Sequence, residues 1–139
     1  MRLAAAEAMI SGRACVYMTG SYGRREASRH SDLDLFILGK NNGRGDRNGK
    51  QGSELGSLDE ICLKADLIEV TRQVGIVEFS GGGRWLAHYS VDDLIKTLGK
   101  PEDDVENTFT ARLLLLLESQ ALLGASIYRQ VLDDVIAAY

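Results

Sequence analysis

The sequence predicts an α+β domain (α/β in the wider sense): a mixed β-sheet flanked by helices, with a C-terminal helical extension. Three observations predict it. Strand-like apolar runs at 14–19, 32–38 and 84–89 all fall in the first hundred residues. Helical patterns separate or flank them. The last third carries apolar residues at helical spacing and no strand-like run. With 139 residues the chain fits one modest core. Residues 1–100 are expected to form the core unit, and 101–139 the extension packed on it.

Residues 2–10 are rich in alanine and read as a helix ended by Ser11-Gly12. Ala14 to Thr19, with Val16 and Tyr17, reads as the first strand. Gly20-Ser21-Tyr22-Gly23 breaks it, and 24–30 forms a short helix or an extended turn. Asp32 to Leu38 reads as a buried second strand. Residues 40–57, rich in Gly, Asn, Lys and Arg, read as a long mobile surface loop.

Leu58 opens a helix reaching about Val74, with Leu58, Ile61, Cys62, Ala65 and Ile68 at helical spacing and Gly75 as its C-cap. Gly81-Gly82-Gly83 is a turn and 84–89 a third strand. Ser90 followed by Asp93 is a relative of the capping box and opens a helix ending at Gly99. Pro101 with Glu102, Asp103 and Asp104 suits the first turn of a helix running through Leu113–Leu117 to about Gln120. That leucine run is apolar all round and reads as a buried helix. A last helix, 126–138, places Ile127, Val131, Leu132, Val135 and Ile136 on one face.

Composition narrows the function classes. A net charge of −4 does not favour non-specific nucleic-acid binding. Cys15 and Cys62 form no C-x-x-C pair, so neither a disulfide framework nor zinc is expected, and two partly buried thiols fit a cytoplasmic setting. No apolar run is long enough to span a bilayer, so no membrane partner is expected.

The chemistry concentrates in residues 20–34. Alternation on a strand sends Asp32 and Asp34 to one side and Leu33 and Leu35 to the other. Two neighbouring carboxylates repel unless a cation sits between them or one is protonated. Magnesium (or manganese) suits such oxygen donors and keeps coordination positions for phosphate. Gly20 lets the backbone approach a ligand closely, and Ser21 adds a hydroxyl. Arg24 and Arg25 supply positive charge against a triphosphate. A phosphate cradle beside a two-carboxylate metal site is the equipment for nucleotidyl transfer.

The segment resembles the polymerase-β-like nucleotidyltransferase superfamily, whose signature is an apolar strand, Gly-Ser, about a dozen residues, then Asp-x-Asp. It looks closest to the bacterial PII-uridylyltransferase-like branch, with Gly-Ser-x-x-Arg-x-Glu followed by Ser-Asp-x-Asp. Gly20, Ser21, Arg24, Glu26, Ser31, Asp32 and Asp34 match position by position. Residues Thr110 to Ser119, with Leu122 and Gly124, look like the helical segment that follows that domain.

The resemblance implies a minimal nucleotidyltransferase core that transfers NMP from an NTP, ATP among the candidates, to an acceptor hydroxyl and releases pyrophosphate. Asp32 and Asp34 would be the catalytic metal ligands; Gly20, Ser21 and Arg24 would bind the nucleotide. A protein, an RNA end or a small molecule remains open as acceptor, and the oligomeric state is not read. Glu26 reads equally as a salt-bridge partner of Arg24 or Arg25, and Arg25 as a solvated charge.

The superfamily usually adds a third carboxylate on a later strand, but 84–89 contains no acid. Gly82 stands near the expected position, and Glu78, Asp66 and Asp92 are the other candidates. Lacking a third acid, the chain has an alternative reading as a non-catalytic, nucleotide-binding regulatory domain. His88 is expected to be an interior or strand-edge histidine. The loop around Gly43–Lys50 is no Walker A motif, since Arg44 and Gln51 stand where Gly and Ser/Thr belong. Its lysines and arginines lie near the site by their position after the second strand.

Overall fold

A computed structural model describes residues 2–76, 79 and 86–139. Its elements run α1 (Arg2–Ile10), β1 (Ala14–Thr19), α2 (Gly20–Gly23), β2 (Asp34–Gly39), β3 (Asn41–Gly45), β4 (Gln51–Ser53) and α3 (Ser57–Gln73). They continue with β5 (Ala87–Ser90), α4 (Val91–Lys96), α5 (Glu102–Val105), α6 (Thr108–Glu118), β6 (Gln120–Leu123) and α7 (Ala125–Ala137).

The main sheet has the order β5-β2-β1-β6. β1 runs antiparallel to β2 and β6, and β2 runs parallel to β5, so the sheet is mixed. Alternation along β1 and β2 builds a core on each face. Ala14, Val16, Leu33, Leu35 and Ile37 pack with Ala6 and Ile10 of α1 and with Leu63 and Leu67 of α3. Cys15, Tyr17, Phe36 and Leu38 pack with Leu94 of α4, Leu115 of α6 and Ile127, Val131 and Val135 of α7. The expected mixed sheet with flanking helices is the fold, and Leu33 and Leu35 do face a core.

The C-terminal third differs from the reading. The helix expected over 101–120 is two helices, separated at Asn107, whose φ of 57° is left-handed. Asparagine tolerates that conformation better than most residues. β6, not legible as a strand, joins the sheet edge beside β1. Gly124 ends it with φ 67°, and a Cβ there would lie 2.4 Å from the Ala14 carbonyl oxygen. Its N–H donates to both carboxylate oxygens of Glu7, at 3.0 and 3.1 Å.

The expected mobile loop at 40–57 holds a two-stranded ribbon, β3-β4. Its turn is closed by Asp46, whose Oδ1 accepts from the N–H groups of Asn48 at 2.8 Å and Lys50 at 3.0 Å. Those donors hold the Asp46 carboxyl below its ordinary pKa. Ser90 and Asp93 form a full capping box for α4: Ser90 Oγ accepts from Asp93 N–H, and Asp93 Oδ2 from Ser90 N–H.

On α3 the buried face is Leu63, Leu67 and Thr71, while Leu58 and Ile61 are exposed, as are Cys62 and Ala65. The expected apolar face therefore points largely outward. Apolar residues surround this helix, and packing against α1 and the sheet selects a different stripe. Burial pushes the Cys15 thiol up to about 12. Leu117 on α6 and Ile136 on α7 are exposed, so neither helix is buried on every expected position.

Candidate active site

β1 ends at Thr19, and the chain turns sharply through Gly20, whose φ is 66°. Such a left-handed value costs glycine little. The chain then enters the single turn of α2. A Cβ on Gly20 would lie 2.9 Å from Asp34 Oδ2, so glycine alone gives that carboxylate its place. Gly23 is equally constrained, since its Cβ would overlap the Glu118 carbonyl oxygen at 1.9 Å. Ser21, half-buried, accepts from the Glu26 N–H through its carbonyl at 2.8 Å, which folds the following loop back over α2.

Antiparallel register sets Asp34 opposite Thr19. Both alternate in phase with Tyr17 and Phe36, which face α6 and α7. Asp34 is half-buried and Asp32, just before the strand, is exposed. The buried Thr19 hydroxyl has no hydrogen-bond partner among the described residues. Gly20 and Asp34 are thus brought together, with Ser21 in the adjoining turn and Asp32 two residues before Asp34.

The arginines are held by the chain itself. Arg24 Nε donates to Glu26 Oε2 at 3.0 Å, and its Nη1 to Glu118 Oε2 at the end of α6. Glu26 and Glu118 hold the exposed guanidinium above its ordinary pKa. Arg25, with φ 59°, donates through Nε to Gln120 Oε1 at 3.2 Å. Glu26 therefore pairs with Arg24, one of its two expected partners. Glu118 and Gln120 were not recognised as neighbours of the motif; nothing in their local sequence signals a contact across more than ninety residues.

The model of the nucleotidyltransferase domain family matches residues 6–81, more than half of the chain. The chain belongs to this family. No curated protein and no solved structure matches it. The nucleotidyltransferase match runs from within α1 through α3, including Gly20, Ser21, Asp32 and Asp34. The residues holding its two arginines on α6 and β6 lie outside that span.

The candidates for a third carboxylate are dispersed. Asp92 accepts from Asn41 Nδ2 at 3.0 Å and Gln51 N–H at 2.7 Å, and pairs with Lys96 at 3.0 Å. Burial would raise its pKa, but these partners outweigh burial and lower it. It belongs to the ribbon junction beyond the C-terminal end of β2, about 17 Å along the strand from Asp34 at ordinary strand rise. The ribbon itself therefore lies at the opposite end of β2 from Asp34, not near the site. Asp66 lies on α3. Glu78 and Gly82 fall outside the described residues. Phe79 makes an isolated parallel bridge to Leu33, the residue between the two aspartates. Among the described residues no three His, Cys, Asp or Glu side chains cluster as a metal site.

No helix among the described residues is long and apolar enough to cross a membrane.

Proposed function

We propose that this nucleotidyltransferase domain carries out metal-dependent transfer of NMP from an NTP to an acceptor hydroxyl, with release of pyrophosphate. The observation that carries the reading is the fit of Gly20 against Asp34: a Cβ on Gly20 would lie 2.9 Å from Asp34 Oδ2, so a glycine is what lets this turn approach the carboxylate. The donor chemistry fits magnesium or manganese. Magnesium is commonly held by one or two carboxylates, with substrate phosphates completing its shell. Asp32 and Asp34 would hold it, and the buried Thr19 hydroxyl adds an oxygen beside Asp34.

When bound, the metal supplies positive charge for the triphosphate and the pyrophosphate leaving group. The chain's own residues do the rest. The turn at Gly20 and Ser21 offers backbone N–H groups and a hydroxyl to phosphate oxygens. Arg24 assists by exchanging one of its carboxylate partners for a phosphate. Resemblance to the PII-uridylyltransferase-like branch makes a protein hydroxyl the first acceptor to test, ahead of RNA ends and small molecules. The reading places the protein in the cytoplasm, where NTP is available.

A second reading is a regulatory domain that binds nucleotide without turnover. It is favoured by the commitment of Asp92 to the ribbon junction, which removes one candidate for the third carboxylate.

Titration calorimetry with the four NTPs, with and without magnesium, tests both. Saturable, magnesium-dependent binding that Asp32→Asn/Asp34→Asn loses supports the site. Pyrophosphate release with an acceptor then separates enzyme from sensor. A folded protein that binds no nucleotide overturns both readings.

A further inference from the structure

A second constellation lies on the other face of the fold's chemistry, at the ribbon and not at the carboxylates. Ser53 Oγ, at the end of β4, is 2.7 Å from His88 Nε2 on β5. His88 Nδ1 is 2.7 Å from Glu60 Oε1 in the first turns of α3. A carboxylate only accepts, so in neutral His88 the proton sits on Nδ1 and Nε2 is the acceptor. Ser53 O–H then donates to Nε2. A hydroxyl, an imidazole and a carboxylate are joined in series, with the polarity that activates a serine nucleophile.

Several features hold this geometry. The His88 side chain is 11% exposed, which restricts its rotation. Leu55 N–H donates to Ser53 Oγ at 3.0 Å and fixes the serine rotamer. Gly39 has no side chain to displace it: a Cβ there would lie 1.6 Å from Ser53 Oγ. Lys64 Nζ stands 3.6 Å from Glu60 Oε1, one turn along α3. Ser53, His88 and Glu60 line one cavity of about 240 Å³, with Ser57, Tyr89 and Asp93 on its walls. Ser57 opens α3, and first-turn N–H groups of a helix lack intrahelical acceptors.

We propose that Ser53, His88 and Glu60 form a separate nucleophilic site that takes the acyl group of a small ester. Ser53 Oγ attacks the ester carbonyl carbon while its proton passes to His88 Nε2. The bond to the leaving alcohol breaks, and the alcohol carries off that proton. Water then attacks the acyl-serine, its proton moving through His88, and the carboxylic acid leaves with Ser53 restored. Glu60 orients the imidazole and balances its transient charge.

The test uses the full chain, a fluorophosphonate probe and p-nitrophenyl acetate. The expected result is covalent labelling at Ser53, located by mass spectrometry, that disappears in Ser53→Ala. His88→Gln should slow labelling by about 100-fold, the ordinary contribution of a general base. Glu60→Gln keeps the shape and should slow it less. Should His88→Gln fail to fold, the Glu60→Gln rate decides. Absence of label, a label on another residue, or rates indifferent to the folded variants would each overturn the proposal.

Discussion

Gly20 and Asp34 are locked in a reciprocal fit: the glycine has φ 66°, and its missing Cβ would stand 2.9 Å from the carboxylate oxygen. Gly20→Ala therefore meets two obstacles at once. The left-handed backbone costs about 1–3 kcal/mol for a residue with a side chain. The methyl also pushes Asp34 from its place. The expected outcome is a modest fall in the thermal midpoint and, under the proposed function, NTP binding in magnesium weakened about tenfold or more, the factor that 1.4 kcal/mol gives. Calorimetry beside a melting curve separates the two effects. Unchanged nucleotide affinity would argue against any role of this turn in binding.

Arg24 is shared between Glu26 and Glu118, and that sharing competes with a phosphate ligand. Glu118→Gln removes one competitor and keeps the side-chain length. Under the nucleotidyltransferase reading the variant should bind NTP a few-fold more tightly, while Arg24→Ala binds more weakly. Both pairs are solvent-exposed and screened, so stability should change little. Equal affinities in all three proteins would show that Arg24 stays with its carboxylates and does not meet the nucleotide.

The motif is legible as a pattern because it is local: Gly20-Ser21 follows the end of β1, and Asp34 opens β2 with Asp32 two residues before it. The two apolar strands, the flanking helices and the Ser90–Asp93 cap were legible for the same reason. Contacts made across the fold were not. Gln120–Leu123 carries no strand signature, since its strand state comes from pairing with β1. The ribbon at 41–53 resembles a loop because Gly and Asn dominate it; contacts such as the Asp46 turn, the junction with Asp92 and the Ser53–His88 pair order it. On α3 the expected stripe passes over Leu63 and Leu67, which are the buried ones; the stripe is chosen by packing on α1 and the sheet, which local periodicity cannot see.

Gly124 carries a constraint that its sequence neighbours conceal. It combines φ 67° with a Cβ position 2.4 Å from the Ala14 carbonyl oxygen. Backbone, unlike a flexible side chain, cannot step aside cheaply. Gly124→Ala should destabilise the protein by about 2 kcal/mol or more, from strain and overpacking together. Urea denaturation gives the value. Loss of the β1–β6 edge should accelerate amide exchange at those β1 residues that donate to β6 before the rest of the sheet opens. A wild-type midpoint would mean that the β6–α7 corner adjusts without strain.

Arg112 and Asp103 form a buried ion pair, at 1% and 5% exposure, that ties α5 to α6. Arg112 also donates to the Leu94 carbonyl at 2.6 Å and to the Tyr139 hydroxyl at 2.9 Å, while Thr97 and Thr108 donate to Asp103 at 3.1 and 2.6 Å. Burial alone would raise the Asp103 pKa, but Arg112 and the two threonines outweigh it and hold it below the ordinary value. With the folded pKa depressed, the unfolded chain binds more protons between the two values. The stabilisation is then complete above the unfolded value of about 3.9 and is lost as pH falls through the folded one. Asp103→Asn leaves Arg112 charged and uncompensated, so it should cost about 3–5 kcal/mol at neutral pH. It should also flatten the acid limb of a stability–pH profile, leaving the slope contributed by Asp92 and Asp46, whose pKa values are lowered too. Replacing both partners, as Asp103→Leu/Arg112→Met, should recover much of the loss, because no buried charge is then left unpaired. A double variant no more stable than Asp103→Asn would show that the threonine and Leu94 contacts, and not the charge, hold α4, α5 and α6 together.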